Sequence, residues 1–167
     1  MLINKIPTAV VWLKRDLRLR DHAALHWAQK NHKQVLLLYI AEPSLREEAH
    51  SSKRHFDFIK KSLVDLNQQL NAFNSAGLTV VGEVIDVLNQ LYQLLTIEGI
   101  YSHLETGIAI TYQRDRNVAN WCHEHNIHWV EKRQQGVFRG MRNRKNWIQH
   151  WTQLMNKEQY HAPSKKG

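Results

Sequence analysis

Five short apolar runs set the terms for this chain: residues 10–13, 35–40, 78–81, 100–104 and 127–130. Each has the length of a strand, and the first two, unbroken by polar residues over 10–13 and nearly so over 35–40, read as strands buried on both faces. Between them lie stretches with helical spacing. Parallel strands need long crossovers, and helices supply them. The expected fold is α/β: a three-layer, Rossmann-like, parallel five-stranded sheet with helices on both faces.

The helices are read from their apolar spacing. Asp21 is placed to cap the first, with Ala24, Leu25 and Ala28 on its buried face. Ser51 or Ser52 opens the longest, whose stripe of Phe56, Ile59, Leu63, Leu66, Leu70 and Phe73 recurs every three or four residues. Gly77 is placed to end it. Asp86 is expected to cap a helix carrying Leu88, Leu91, Tyr92 and Leu95 and stopped by Gly99. A further helix is expected over about 110–125. A last one, about 143–157, has Trp147, Trp151 and Leu154 on one stripe, with the tryptophans expected to face the core. The expected organisation is one domain over 1–133, then a basic linker and helix over 134–167.

Composition narrows the function classes. The 167 residues are 43% hydrophobic, enough for one packed core. No apolar run is long enough to cross a membrane, and the amino terminus lacks the apolar core of a secretory signal. One cysteine, Cys122, rules out an internal disulfide and fits a reducing compartment, so a cytoplasmic protein is expected. The formal charge of +8 favours acidic partners. The segment 132–157 holds Lys132, Arg133, Arg139, Arg142, Arg144, Lys145 and Lys157 with no acidic residue. Such a run could serve as a nucleic-acid-binding module.

Charge is concentrated where the first strand ends. Lys14, Arg15, Asp16, Arg18, Arg20 and Asp21 follow directly on the apolar run. In an open α/β sheet, ligand crevices form at the carboxyl ends of the strands. Glu105-Thr106-Gly107 leaves another strand end, where a carboxylate can accept from a ligand N–H and a glycine lets a ligand approach the backbone. The plain alternatives are an Arg15–Asp16 ion pair bracing a turn, an ordinary strand-to-helix loop, and an exposed Arg114–Asp115 pair. No glycine-rich phosphate loop and no nucleophile elbow is present. His22, His26, Cys122, His123, His125 and His128 lack the spacing of a zinc site; the histidines are read as surface residues, with no metal expected.

The segment Trp12-Leu13-Lys14-Arg15-Asp16-Leu17-Arg18 resembles the amino-terminal signature of the DNA photolyase and cryptochrome family. Ser52-x-Arg54 with Phe56, Phe58 and Ser62-Leu63 is similar to that family's long helix. Glu105-x-Gly107, Arg114-Asp115 and Val118 are similar to its later loop and helix. Gly136-Val137-Phe138-Arg139, Asn143-Arg144 and Trp147 resemble the linker of a bacterial subgroup. The likeness runs from about Ala9 to Trp151.

The resemblance implies an amino-terminal α/β domain that packs on a larger helical domain binding FAD and damaged DNA. Some members of that family hold a light-harvesting antenna in this domain (a folate, a deazaflavin or FMN), which passes excitation to the flavin. The reduced flavin then splits a pyrimidine dimer flipped out of the duplex. About 300 further residues would be expected for the flavin domain, so the chain by itself is expected to be inactive. Thr111 stands where folate-binding members carry Glu, which makes folate the less favoured antenna. The resemblance implies a vestigial or flavin-type site of Lys14, Arg15, Asp16, Arg54, Glu105 and Gly107. A competing expectation is a free-standing nucleotide-binding α/β module that takes ATP or AMP in the same crevice.

Overall fold

The computed structural model describes residues 5–137, 143 and 145–163. Phe138, Arg139, Arg142 and Arg144 of the basic segment lie outside them. The elements are β1 (Ile6–Leu13), α1 (Ala23–Asn31), β2 (Val35–Ala41), α2 (Pro43–Arg46), α3 (Lys53–Asn71), β3 (Leu78–Val81), α4 (Val84–Leu94), β4 (Leu95–His103), α5 (Ala109–Glu124), β5 (Trp129–Lys132) and α6 (Trp147–Met155). The five strands form one parallel sheet in the order β3-β2-β1-β4-β5. The chain therefore builds outward from β1 to β3, then returns to β1's other side. The switch point falls between the carboxyl ends of β1 and β4.

Alternation along β1 divides the core in two. Val10 and Trp12 pack with Val87, Leu88 and Leu91 of α4 and Val118 and Trp121 of α5. Ala9, Val11 and Leu13 point the other way, against Leu25 and Ala28 of α1 and Leu66 and Leu70 of α3. Trp12 is buried, as its place on the first strand requires. Cys122 lies in the α4–α5 layer, where burial pushes its thiol pKa up to about 11.

Several boundaries differ from expectation. His22, not Asp21, caps α1: its Nδ1 accepts from the Leu25 N–H at 3.0 Å, while Asp21 takes a positive φ of 49°. α3 ends at Asn71, before Gly77, and Asn74 adopts the left-handed turn instead. Asp86 sits inside the first turn of α4, whose N-cap is Glu83. Gly99 lies within β4 beside Ala9, just past a register shift. The last helix buries no residue, and Trp147 and Trp151 remain 39% and 41% exposed. They pack on the preceding segment instead: the Trp147 indole N–H donates to the Gly136 carbonyl at 3.2 Å.

α3 positions the site. At about 1.5 Å per residue its 19 residues run about 28 Å, longer than seven-residue β2 at about 3.3 Å per residue. Its carboxyl half anchors in the core through Leu66 and Leu70, while Phe56, Ile59 and Leu63 are only half-buried. Its amino half thus overhangs the strand ends.

Candidate ligand-binding site

Most of the length of α3 walls a crevice of about 1420 Å³ that lies above the carboxyl ends of β1, β2 and β4 and reaches Thr79 and Val81 of β3. Its floor is a buried charge network centred on Arg114 in α5. The guanidinium donates to Glu42 Oε1 at 3.0 Å, Glu105 Oε2 at 3.0 Å and Asp115 Oδ1 at 2.9 Å. The Lys14 ammonium donates to Asp115 Oδ2 at 2.7 Å and lies over the Trp12 ring at 4.6 Å. Burial lowers the Lys14 pKa, against the pull of Asp115. At Arg114 burial also disfavours the charge, but Glu42 and Asp115 more than offset it, and its pKa rises. Glu42 goes up to about 7, because burial outweighs Arg114.

The expected site residues separate into three places. Lys14, Arg15 and Glu105 line the crevice. Arg15 is mostly exposed at the mouth, its Nη2 3.7 Å from Glu105 Oε1. Gly107 sits directly against that pair: a Cβ there would meet Arg15 Nη2 at 2.3 Å, Glu105 Oε1 at 2.7 Å and Thr111 Oγ1 at 2.8 Å. Arg15 can swing away, but buried Glu105 and Thr111 must move. Gly107→Ala is therefore expected to cost about 1–3 kcal/mol in urea unfolding. Arg54 is exposed in the first turn of α3 and does not line the crevice.

Asp16 lies behind the crevice rather than in it. It makes no pair with Arg15. Its Oδ1 accepts from the Lys14 N–H at 2.8 Å, and its Oδ2 accepts from His103 Nδ1, with His22 Nε2 at 2.8 Å. Burial opposes its charge, yet these imidazole contacts hold its carboxyl well below the usual range. The cluster ties the β1 exit to the start of α1 and the end of β4. Asp16, His22 and His103 have the spacing of a metal triad, and His22 is buried, not a surface histidine. The chemistry does not fit a metal: His22 Nδ1 accepts a backbone N–H, so its proton sits on Nε2, the atom facing the cluster.

Sequence reasoning missed Glu42 and underrated Arg114 and Asp115, which are buried rather than an exposed pair. The Arg-Asp dipeptide one turn into α5, on the helix that follows Glu105-Thr106-Gly107, was the available signal.

The fold is a doubly wound α/β domain whose charged-floor crevice lies over the carboxyl ends of its strands, where open α/β sheets generally take their ligands. The DNA photolyase family model matches residues 9–150, and the chain belongs to that family. It is 28% identical over 104 residues to cryptochrome DASH of Synechocystis, covering 59% of this chain and 21% of that protein. It is 37% identical over 65 residues to the deoxyribodipyrimidine photo-lyase of Vibrio cholerae, covering 39% of this chain and 14% of that protein. The chain thus spans about a fifth or less of these relatives' length. In fold it matches an archaeal photolyase from Sulfolobus tokodaii, described with two FAD molecules and an implied novel light-harvesting cofactor. The TM-score there is 0.74 at 21% identity, covering 94% of this chain and 37% of that one. A Synechocystis cryptochrome matches with TM-score 0.80 at 19% identity, covering 97% and 37%. No helix among the described residues is long and apolar enough to cross a membrane.

Proposed function

We propose that this chain is the amino-terminal α/β part of a photolyase- or cryptochrome-type flavoprotein and that its crevice seats a flavin-type antenna, FMN or a deazaflavin. The observation carrying this reading is the crevice's layered chemistry. Phe56, Ile59 and Leu63 offer an apolar wall to a planar ring. Glu42 and Glu105 on the floor are acceptors for ring N–H groups. Arg15, Arg46 and Lys53 line the crevice and complement a phosphate. The second FAD described for the Sulfolobus photolyase supports a flavin-type occupant.

In this reading residues 1–133 form the antenna and scaffold unit, and 134–167 lead towards a helical FAD-binding domain. That domain holds the catalytic FAD and the damaged DNA, and the α/β part by itself is inactive. The assembly works in the cytoplasm. Titrating FMN, and separately a deazaflavin, into the purified chain tests the site. Binding in the micromolar range with a rise in flavin anisotropy is expected, and Arg15→Glu should weaken FMN more than riboflavin, which lacks the phosphate. Flavin fluorescence that stays unchanged at high micromolar protein would overturn the proposal.

A further inference from the structure

A second concavity lies away from the crevice, along the outer side of α1. The segment after α6 folds back there as a strap. The Asp21 N–H donates to the Tyr160 carbonyl at 2.7 Å, and the Tyr160 ring lies 4.6 Å from the His26 ring. Between strap and helix is a groove of about 1470 Å³. Lys30 and Lys33 line one side and Lys157 the other, with Glu158 as its acidic residue. Beside it the Trp27 ring has Lys30 Nζ at 5.1 Å and Lys132 Nζ at 4.3 Å from its centroid. The groove itself thus carries three lysines and the His26–Tyr160 ring pair.

We propose that this groove binds single-stranded nucleic acid, with phosphates on Lys30, Lys33 and Lys157 and bases against the His26–Tyr160 pair. A groove that tracks a backbone with cations and offers rings to bases is the arrangement that holds single strands without sequence preference. The overall charge of +8 brings such a ligand in from solution. A duplex fits less well, because its bases are already stacked and cannot use the rings.

The test is fluorescence anisotropy of a labelled 15-nucleotide single strand with the full chain over a salt series. Affinity should fall linearly on a log–log plot. Lys30→Glu/Lys33→Glu should weaken binding at least tenfold and reduce the slope by about 1.4, since each phosphate contact to a single strand contributes about 0.7. Lys61→Glu/Arg116→Glu changes charge equally on α3 and α5, outside the groove, and should change affinity less than threefold. Equal losses in both variants, no loss in the first, or tighter binding to duplex would each overturn the proposal. So would binding to anionic phosphatidylserine vesicles without binding to the oligonucleotide. None of these outcomes depends on flavin binding in the crevice.

Discussion

Arg114→Met is expected to lower the unfolding free energy by about 3–5 kcal/mol, because it strands buried carboxylates without their cation. Methionine keeps much of the volume, so packing loss contributes little. What is lost is the one group that donates to Glu42, Glu105 and Asp115 together. Arg114→Lys should recover only part of the loss, since an ammonium lacks the planar fork that reaches three partners. Urea unfolding with unchanged m-value is the measurement. A loss below about 1 kcal/mol would mean that the carboxylates accept protons or water at no cost, and that the floor is not a charge network in solution.

The second large effect is a pH dependence at Glu42. Its carboxyl stands at about 7 in the folded chain against an ordinary 4.5, with burial the leading cause. Between those values the folded chain holds a proton that the unfolded chain has released, so stability falls as pH rises through this window. Above about pH 7 the full cost is present, about 3 kcal/mol at most. Glu42→Gln removes that cost but also weakens the contact to Arg114. The variant should gain about 1–3 kcal/mol over the unaltered chain at pH 8 and almost nothing at pH 4. His103 acts in the opposite sense: burial lowers its pKa, so the fold loses stability as pH drops below its ordinary 6.5. Comparing variant with parent cancels that contribution. A gain that did not vary with pH would overturn the assignment.

The layers of this fold were legible because burial leaves a mark on local sequence. β2 and the α3 stripe stand out through continuous or regularly spaced apolar residues. The first half of β4 did not, because Thr96, Glu98 and Gly99 interrupt the pattern and only Ile97 is buried there among residues 95–98. The α6 stripe showed an apolar face but could not show what covers it; here that face stays largely exposed. The site was half legible. Lys14, Arg15 and Glu105 sit at strand ends, where topology makes crevices. Asp16 and His103 are 87 positions apart, and nothing local links them. Arg114-Asp115 looked like an ordinary helix-surface pair because adjacency in sequence does not report depth.

The overhang of α3 separates two jobs that most binding sites combine. The side chains that shape the cleft wall are not the ones that hold the helix to the sheet: Phe56, Ile59 and Leu63 line the cleft, while Leu66 and Leu70 are buried in the core. Phe56, Ile59 and Leu63 can be exchanged for other sizes while Leu66 and Leu70 keep the layer seated. Substitutions along that wall should accordingly reshape the cleft at small expense to folding.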